Sequence, residues 1–133
     1  MTTLQVSFVT NDGKNAIAKV EEGRHVSYTL EEEKEKVPYT LTLPFDITSL
    51  YAREDFVFVG CDRFVFLMGL KMLQEHSNEF IPCVISGTQA CTEISYREHD
   101  RTIVTVNQDG AVKEWTVEFR NDKWRMIQKI LYE

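Results

Sequence analysis

Long hydrophobic runs are missing from this chain of 133 residues. Its most apolar stretch, Arg63 to Leu73, contains Gly69 and Lys71 and falls short of the roughly 20 residues a spanning helix needs, so no membrane span is expected. The opening segment Met1 to Val6 lacks the basic and apolar regions of a secretory signal, which predicts an intracellular protein, cytoplasmic or nuclear, in reducing surroundings. Cysteine is sparse: Cys61, Cys83 and Cys91 are odd in number and too widely spaced for a zinc site, and they read as core or near-surface thiols. The six glycines form neither a P-loop nor a Gly-x-Gly-x-x-Gly pattern, so nucleotide binding is unsupported and no cofactor is expected. An excess of basic charge is also lacking. The net charge is −6, with basic residues scattered, whereas nucleic-acid phosphates call for a basic footprint. Lys123, Trp124, Arg125 and Lys129 alone set an aromatic among bases, too little for a stacking platform. Helical periodicity is scarce as well.

What is present is period-two alternation in short runs separated by turn residues, the pattern of half-buried strands. Leu4, Val6 and Phe8 alternate before the turn Asn11-Asp12-Gly13, whose residues tolerate positive φ. Ala16 to Val20 continues, Glu21-Glu22-Gly23 turns again, and Val26, Tyr28 and Leu30 alternate in a third run. Glu31 to Lys36 mixes charge signs and reads as a solvated loop, an acidic docking segment being the other reading. Further runs are expected at Ile47 to Tyr51, Phe56 to Val59, Phe64 to Leu67, Thr92 to Tyr96, Ile103 to Val106, Ala111 to Val117 and Lys123 to Tyr132.

These runs repeat. Asp12, Asp62 and Asp109 mark turns 50 and 47 residues apart, close to the spacing of roughly 40–50 residues for four-stranded repeats. Ile47 and Ile94 each lie 15 residues before their turn aspartate, and Val57, Val59 and Val65 match Val104, Val106 and Val112 at equal offsets. One domain of about three repeats follows, at 4–30, 46–85 and 92–132, with three strands in the first and four in each of the others.

The stretch Thr102 to Trp115 resembles a blade of the WD-repeat β-propeller family, with an Asp109-Gly110 turn between two strands and Trp115 at the family's Trp position. The resemblance implies that Trp115 is core, and Glu98-His99-Asp100 is loosely similar to the family's polar network. Met68 stands at the Trp position of the second repeat and Ala18 at that of the first. The expected fold is therefore all-β: antiparallel four-stranded blades of a partial propeller. A rival architecture is an α+β domain with a helix from Asp62 to Ser77, since Asp62 can cap a helix and Leu67 to Glu75 is rich in helix formers. Phe64-Val65-Phe66 and Gly69 oppose it.

Closed propellers usually have 4–8 blades, and an open array exposes faces and edges that drive association. The expected partners are proteins, or a second copy completing the propeller, and the expected function is a non-catalytic interaction module or scaffold subunit. The polar links supply the candidate contacts: Arg53, Glu54, Asp55, Arg97, Glu98, His99 and Arg101. Enzymatic candidates are thin. His25, His76 and His99 have no ligand spacing, and Cys61 after Gly60 could be an exposed thiol but has no base beside it. The alternative is a small α+β enzyme or ligand-binding domain with a pocket near His99 and Asp100.

Overall fold

Twelve strands form among the described residues of the computed structural model, which are 4–33, 39–54, 56–69, 83–120 and 123–129. They are β1 (Gln5–Val9), β2 (Asn15–Glu21), β3 (His25–Leu30), β4 (Tyr39–Thr42), β5 (Ile47–Arg53), β6 (Phe56–Cys61), β7 (Phe64–Gly69), β8 (Cys83–Ile85), β9 (Cys91–Arg97), β10 (Thr102–Asn107), β11 (Val112–Arg120) and β12 (Lys123–Gln128). Each successive set of four makes one antiparallel meander, so the first sheet is β1–β4, the second β5–β8 and the third β9–β12. The class is all-β, and no α-helix occurs among the described residues.

The rival helix is not formed where it can be followed. Asp62 and Arg63 are the two-residue turn between the paired residues Cys61 and Phe64, and Phe64–Gly69 is strand β7. Pairing with β6 on one side and β8 on the other overrides the local helix preference of Leu67 and Met68, as tertiary context commonly does. Residues 70–77 of that expected helix, His76 among them, lie outside the described residues.

The first repeat has a different phase from the one the turn aspartates indicate. Asp12 lies in the first turn of its sheet, between β1 and β2, whereas Asp62 and Asp109 lie in the second turns of theirs. The counterpart of Asp62 is Gly23, because the sheet-to-sheet links use the two in the same way. After β4, Leu43 N donates to Arg24 O at 2.8 Å and Ile47 N to Gly23 O at 2.7 Å. After β8, Ser86 N donates to Arg63 O at 2.8 Å and Cys91 N to Asp62 O at 2.9 Å. The first sheet also has a fourth strand, β4, beyond the expected boundary at residue 30, and β1 takes the innermost place. The first strands begin at Gln5, Ile47 and Cys91, 42 and 44 residues apart.

Between the second and third sheets the register shifts by one. Met68 stands opposite Val57 and Trp115 opposite Ile103, so Val57 and Val59 correspond to Ile103 and Thr105 rather than to Val104 and Val106. The cause is the longer second turn of the third sheet, where Val106 pairs with Val112 while Cys61 pairs directly with Phe64.

The sheets stack face to face, with β1 against β5 and β5 against β9. Alternation along a strand assigns side chains to opposite faces. Ala18, Val26, Tyr28 and Leu30 of the first sheet pack on Val57, Val59, Cys61 and Met68 of the second. Phe58, Val65 and Leu67, on the reverse face of the second sheet, pack on Ile94, Ile103, Trp115 and Met126 of the third. Trp115 is buried, and its indole Nε1 donates to Thr105 Oγ1 at 2.9 Å. Gly60 permits the close stacking: a Cβ there would overlap Ser49 Oγ and lie 3.2 Å from Cys91 Cβ.

Candidate interaction surface

The first turns of the three sheets gather near one end of the stack. Thr10 to Lys14 closes the first by local bonds: Gly13 N donates to Thr10 O at 3.0 Å, and Lys14 N donates to Thr10 Oγ1 at 3.1 Å. The Thr10 hydroxyl also donates to Asp12 and lowers its carboxyl below the ordinary carboxylate value. Gly13 adopts φ 83° there, a conformation glycine takes at little cost. Glu54 and Arg101, with φ 55° and 54°, serve the corresponding turns of the second and third sheets.

Of the seven contact candidates, the fold brings three together. Arg53, at the end of β5, lays its guanidinium 3.8 Å from the ring centroid of Tyr96 on β9. It also reaches Glu54 Oε1 at 3.5 Å and Glu98 Oε1 at 3.8 Å. A cation over an aromatic face is attracted by the ring quadrupole, so Arg53 joins the second sheet to the third. Arg97 turns away from this group. Its guanidinium donates to both carboxylate oxygens of Asp100, at 2.9 and 2.6 Å, and to Glu114. Asp100 raises the Arg97 pKa further, with Glu114 next. Lys129 lies 3.4 Å from Asp100 and donates to Thr102 Oγ1. Arg97, foremost, holds the Asp100 carboxyl well below the usual carboxylate range. Arg101 is exposed, as is His99 with its side chain 77% accessible. Asp55 lies outside the described residues.

The pocket expected near His99 and Asp100 has poor chemistry for proton transfer. His99 Nε2 is 4.0 Å from Asp100 Oδ2, beyond hydrogen-bond reach, and that carboxylate is already engaged by Arg97 and Lys129, while the Thr102 hydroxyl donates to the Asp100 backbone carbonyl at 3.4 Å. A concavity of about 270 Å³ instead lies beside the first turns, lined by Phe8, Val9, Tyr51, Ala52, Arg53 and Glu54. Four apolar or aromatic side chains form its walls, and an arginine and a glutamate stand at its rim. Such a surface suits side-chain recognition, in which apolar contact supplies area and few polar groups set orientation. Val9 contributes because it is 54% exposed on the face of β1 that carries Gln5 and Ser7. An apolar residue out of phase with Leu4, Val6 and Phe8 was the sequence signal for this place.

Cys61 is buried, not exposed: its thiol donates to Phe45 O at 3.2 Å, and burial raises its pKa. Cys91 is buried as well, while Cys83 is exposed. Among the described residues no group of three or more His, Cys, Asp or Glu side chains could hold a metal ion, and no helix is long and apolar enough to cross a membrane. No protein-family model matches the chain, and no curated protein matches it.

Proposed function

We propose that this chain is a non-catalytic protein-interaction module, built on WD-like blades, that serves as a subunit of an intracellular assembly and binds protein segments at its first-turn end. The observation that carries this reading is the groove of Phe8, Val9, Tyr51 and Ala52 with Arg53 and Glu54 at its rim. An extended peptide with one apolar anchor would place that anchor against Phe8 and Tyr51. Polar groups of the same peptide would meet Glu54 and the edge of the Arg53 guanidinium. Burying a single large apolar side chain contributes about 1.5–3 kcal/mol, less than association costs in lost freedom, so the polar contacts and further apolar area of the same peptide must supply the rest.

The test is affinity purification from cells with wild-type, Val9→Asp and Arg53→Ala baits, each partner's peptide then being titrated against the purified chains. Partners retained by wild type and by an Arg63→Ala bait, but lost from both first-turn variants, support the reading. Unchanged partner sets for Val9→Asp and Arg53→Ala overturn it.

A further inference from the structure

We propose that the groove takes its ligand by strand addition: an extended segment of another protein pairs with the free edge of β1 and sets one apolar side chain in the concavity. This rests on the reading of the groove as a peptide site and fixes how the peptide is held.

The pairing of β1 with β2 defines the edge. Val20 N donates to Leu4 O and Thr10 N to Lys14 O, both at 2.9 Å, and the register between them is unbroken from Gln5 opposite Lys19 to Val9 opposite Asn15. Bonded and non-bonded pairs alternate along an antiparallel ladder. Leu4, Val6, Phe8 and Thr10 therefore direct their backbone groups to β2, while the N–H and C=O of Gln5, Ser7 and Val9 point outward. No other strand among the described residues pairs with β1, and these three residues are exposed.

The remaining sheet edges among the described residues carry charge, bulges or shortness, the devices that keep edges from pairing. β5 and β9 bulge near their starts, at Thr48 and Thr92, and include Arg53, Glu93 and Arg97. The Thr48 hydroxyl also donates to Cys91 O at 2.5 Å, occupying the acceptor of the first residue of β9. β4 and β8 are only four and three residues long, and β12 includes Lys123 and Arg125. β1, Gln5-Val6-Ser7-Phe8-Val9, has no charge, no proline and no bulge. Its outward row of alternating donors and acceptors is matched throughout only by an extended backbone.

The groove continues this edge. Phe8 and Val9 are neighbours on a strand and point to opposite faces, so a concavity lined by both, with Tyr51 and Ala52, lies at the rim of β1 and not on one of its faces. A segment paired with Ser7 and Val9 brings its next side chain there. A second copy of β1 fits less well: paired antiparallel and centred on Ser7, it sets Gln5 opposite Val9, and glutamine is no apolar anchor.

A phage-displayed library of random dodecapeptides, panned on the purified chain, supplies the probe, and the enriched peptide is then synthesised and titrated by fluorescence anisotropy. Ser7→Pro removes an outward N–H and leaves the bonds to β2 in place, as proline on a sheet edge does. The variant should melt as a folded chain and bind about tenfold more weakly, whereas Arg63→Ala, in a second turn, should bind as wild type does. N-methylation along the peptide backbone should block binding at alternate positions, a readout that needs no variant of the chain. A peptide lost from Val9→Asp but indifferent to Ser7→Pro and to N-methylation overturns strand addition and leaves the groove reading standing. No enriched peptide, or one indifferent to Val9→Asp as well, overturns both. A free chain that is dimeric by light scattering, and monomeric as Ser7→Pro, assigns the edge to a second copy and overturns the proposal too.

Discussion

The second sheet is covered on both faces; the first and third are covered by the stack on one. Val57, Val59, Cys61 and Met68 look one way from the second sheet, and Phe58, Val65 and Leu67 look the other. In the first sheet the face turned away from the stack carries Lys19, Ser27 and Thr29 beside Ile17, and in the third it carries the Arg97–Asp100–Glu114–Lys129 network beside Val112. A strand buried on both faces reads as a continuous apolar run, and one buried on a single face as alternation. Phe56-Val57-Phe58-Val59 against Val26-Ser27-Tyr28-Thr29-Leu30 illustrates the two. Position within the stack, rather than strand propensity, accounts for the difference.

The contrast breaks most sharply at Phe58. It is 2% exposed, and Phe58→Ala should cost about 3–5 kcal/mol by urea unfolding. Val112→Ala, on the uncovered face, should change the stability of the single chain by no more than about 0.5 kcal/mol. Equal losses at the two positions would mean that the second sheet is not the covered one. A step smaller is Gly60→Val, whose side chain would collide with Ser49 and Cys91; overpacking of this kind costs about 1–3 kcal/mol. Gly110→Val lies in a turn with open space around it but has φ 88°, so its penalty should come from backbone strain alone, about 1 kcal/mol. Next comes Trp115→Phe, which keeps most of the packing but removes the donor to buried Thr105 Oγ1; the expected loss is about 1–2 kcal/mol.

The smallest effect is the part of the pH dependence that comes from the link between the second and third sheets. Asp109 accepts hydrogen bonds from the Thr88 hydroxyl at 2.6 Å, Thr88 N at 2.8 Å and Ala111 N at 2.9 Å. The Thr88 hydroxyl foremost lowers the Asp109 pKa from 3.8 to about 2. A depressed folded value stabilises the native state fully above the ordinary value, and the contribution is lost as pH falls from 3.8 toward about 2. Asp109→Asn should therefore lower the thermal midpoint slightly at neutral pH and flatten the acid side of the stability profile. An unchanged acid limb would show that the link bonds do not hold in solution.

Much of the fold was legible because period-two alternation is local. The strands flanking Asp62 and Asp109 and the all-β class follow from residues adjacent in the chain, whereas the burial of Trp115 was implied by the resemblance to a WD-type blade. The phase of the first repeat was not legible. Asn11-Asp12-Gly13 has the composition of any tight turn, and only the bonds from Leu43 and Ile47 to Arg24 and Gly23 identify the second turn as the counterpart of Asp62. The surface was legible in part. Arg53, Glu54 and Glu98 were found as polar link residues, but Tyr96 was hidden because its role depends on Arg53, 43 residues earlier in the chain.

The sequence by itself determined most of the strands, β4 and β8 excepted, through alternation and the turn residues that tolerate positive φ, and with them the antiparallel meander. Tertiary structure alone decided which faces meet. Stacking covers Val65 and leaves Val112 in solvent, directs Arg97 to Asp100 and Arg53 to Tyr96, and sets Val9 beside Tyr51. Local pattern reports that a side chain alternates, but the free energy of burying it depends on the surface brought against it, which comes from residues distant in the chain.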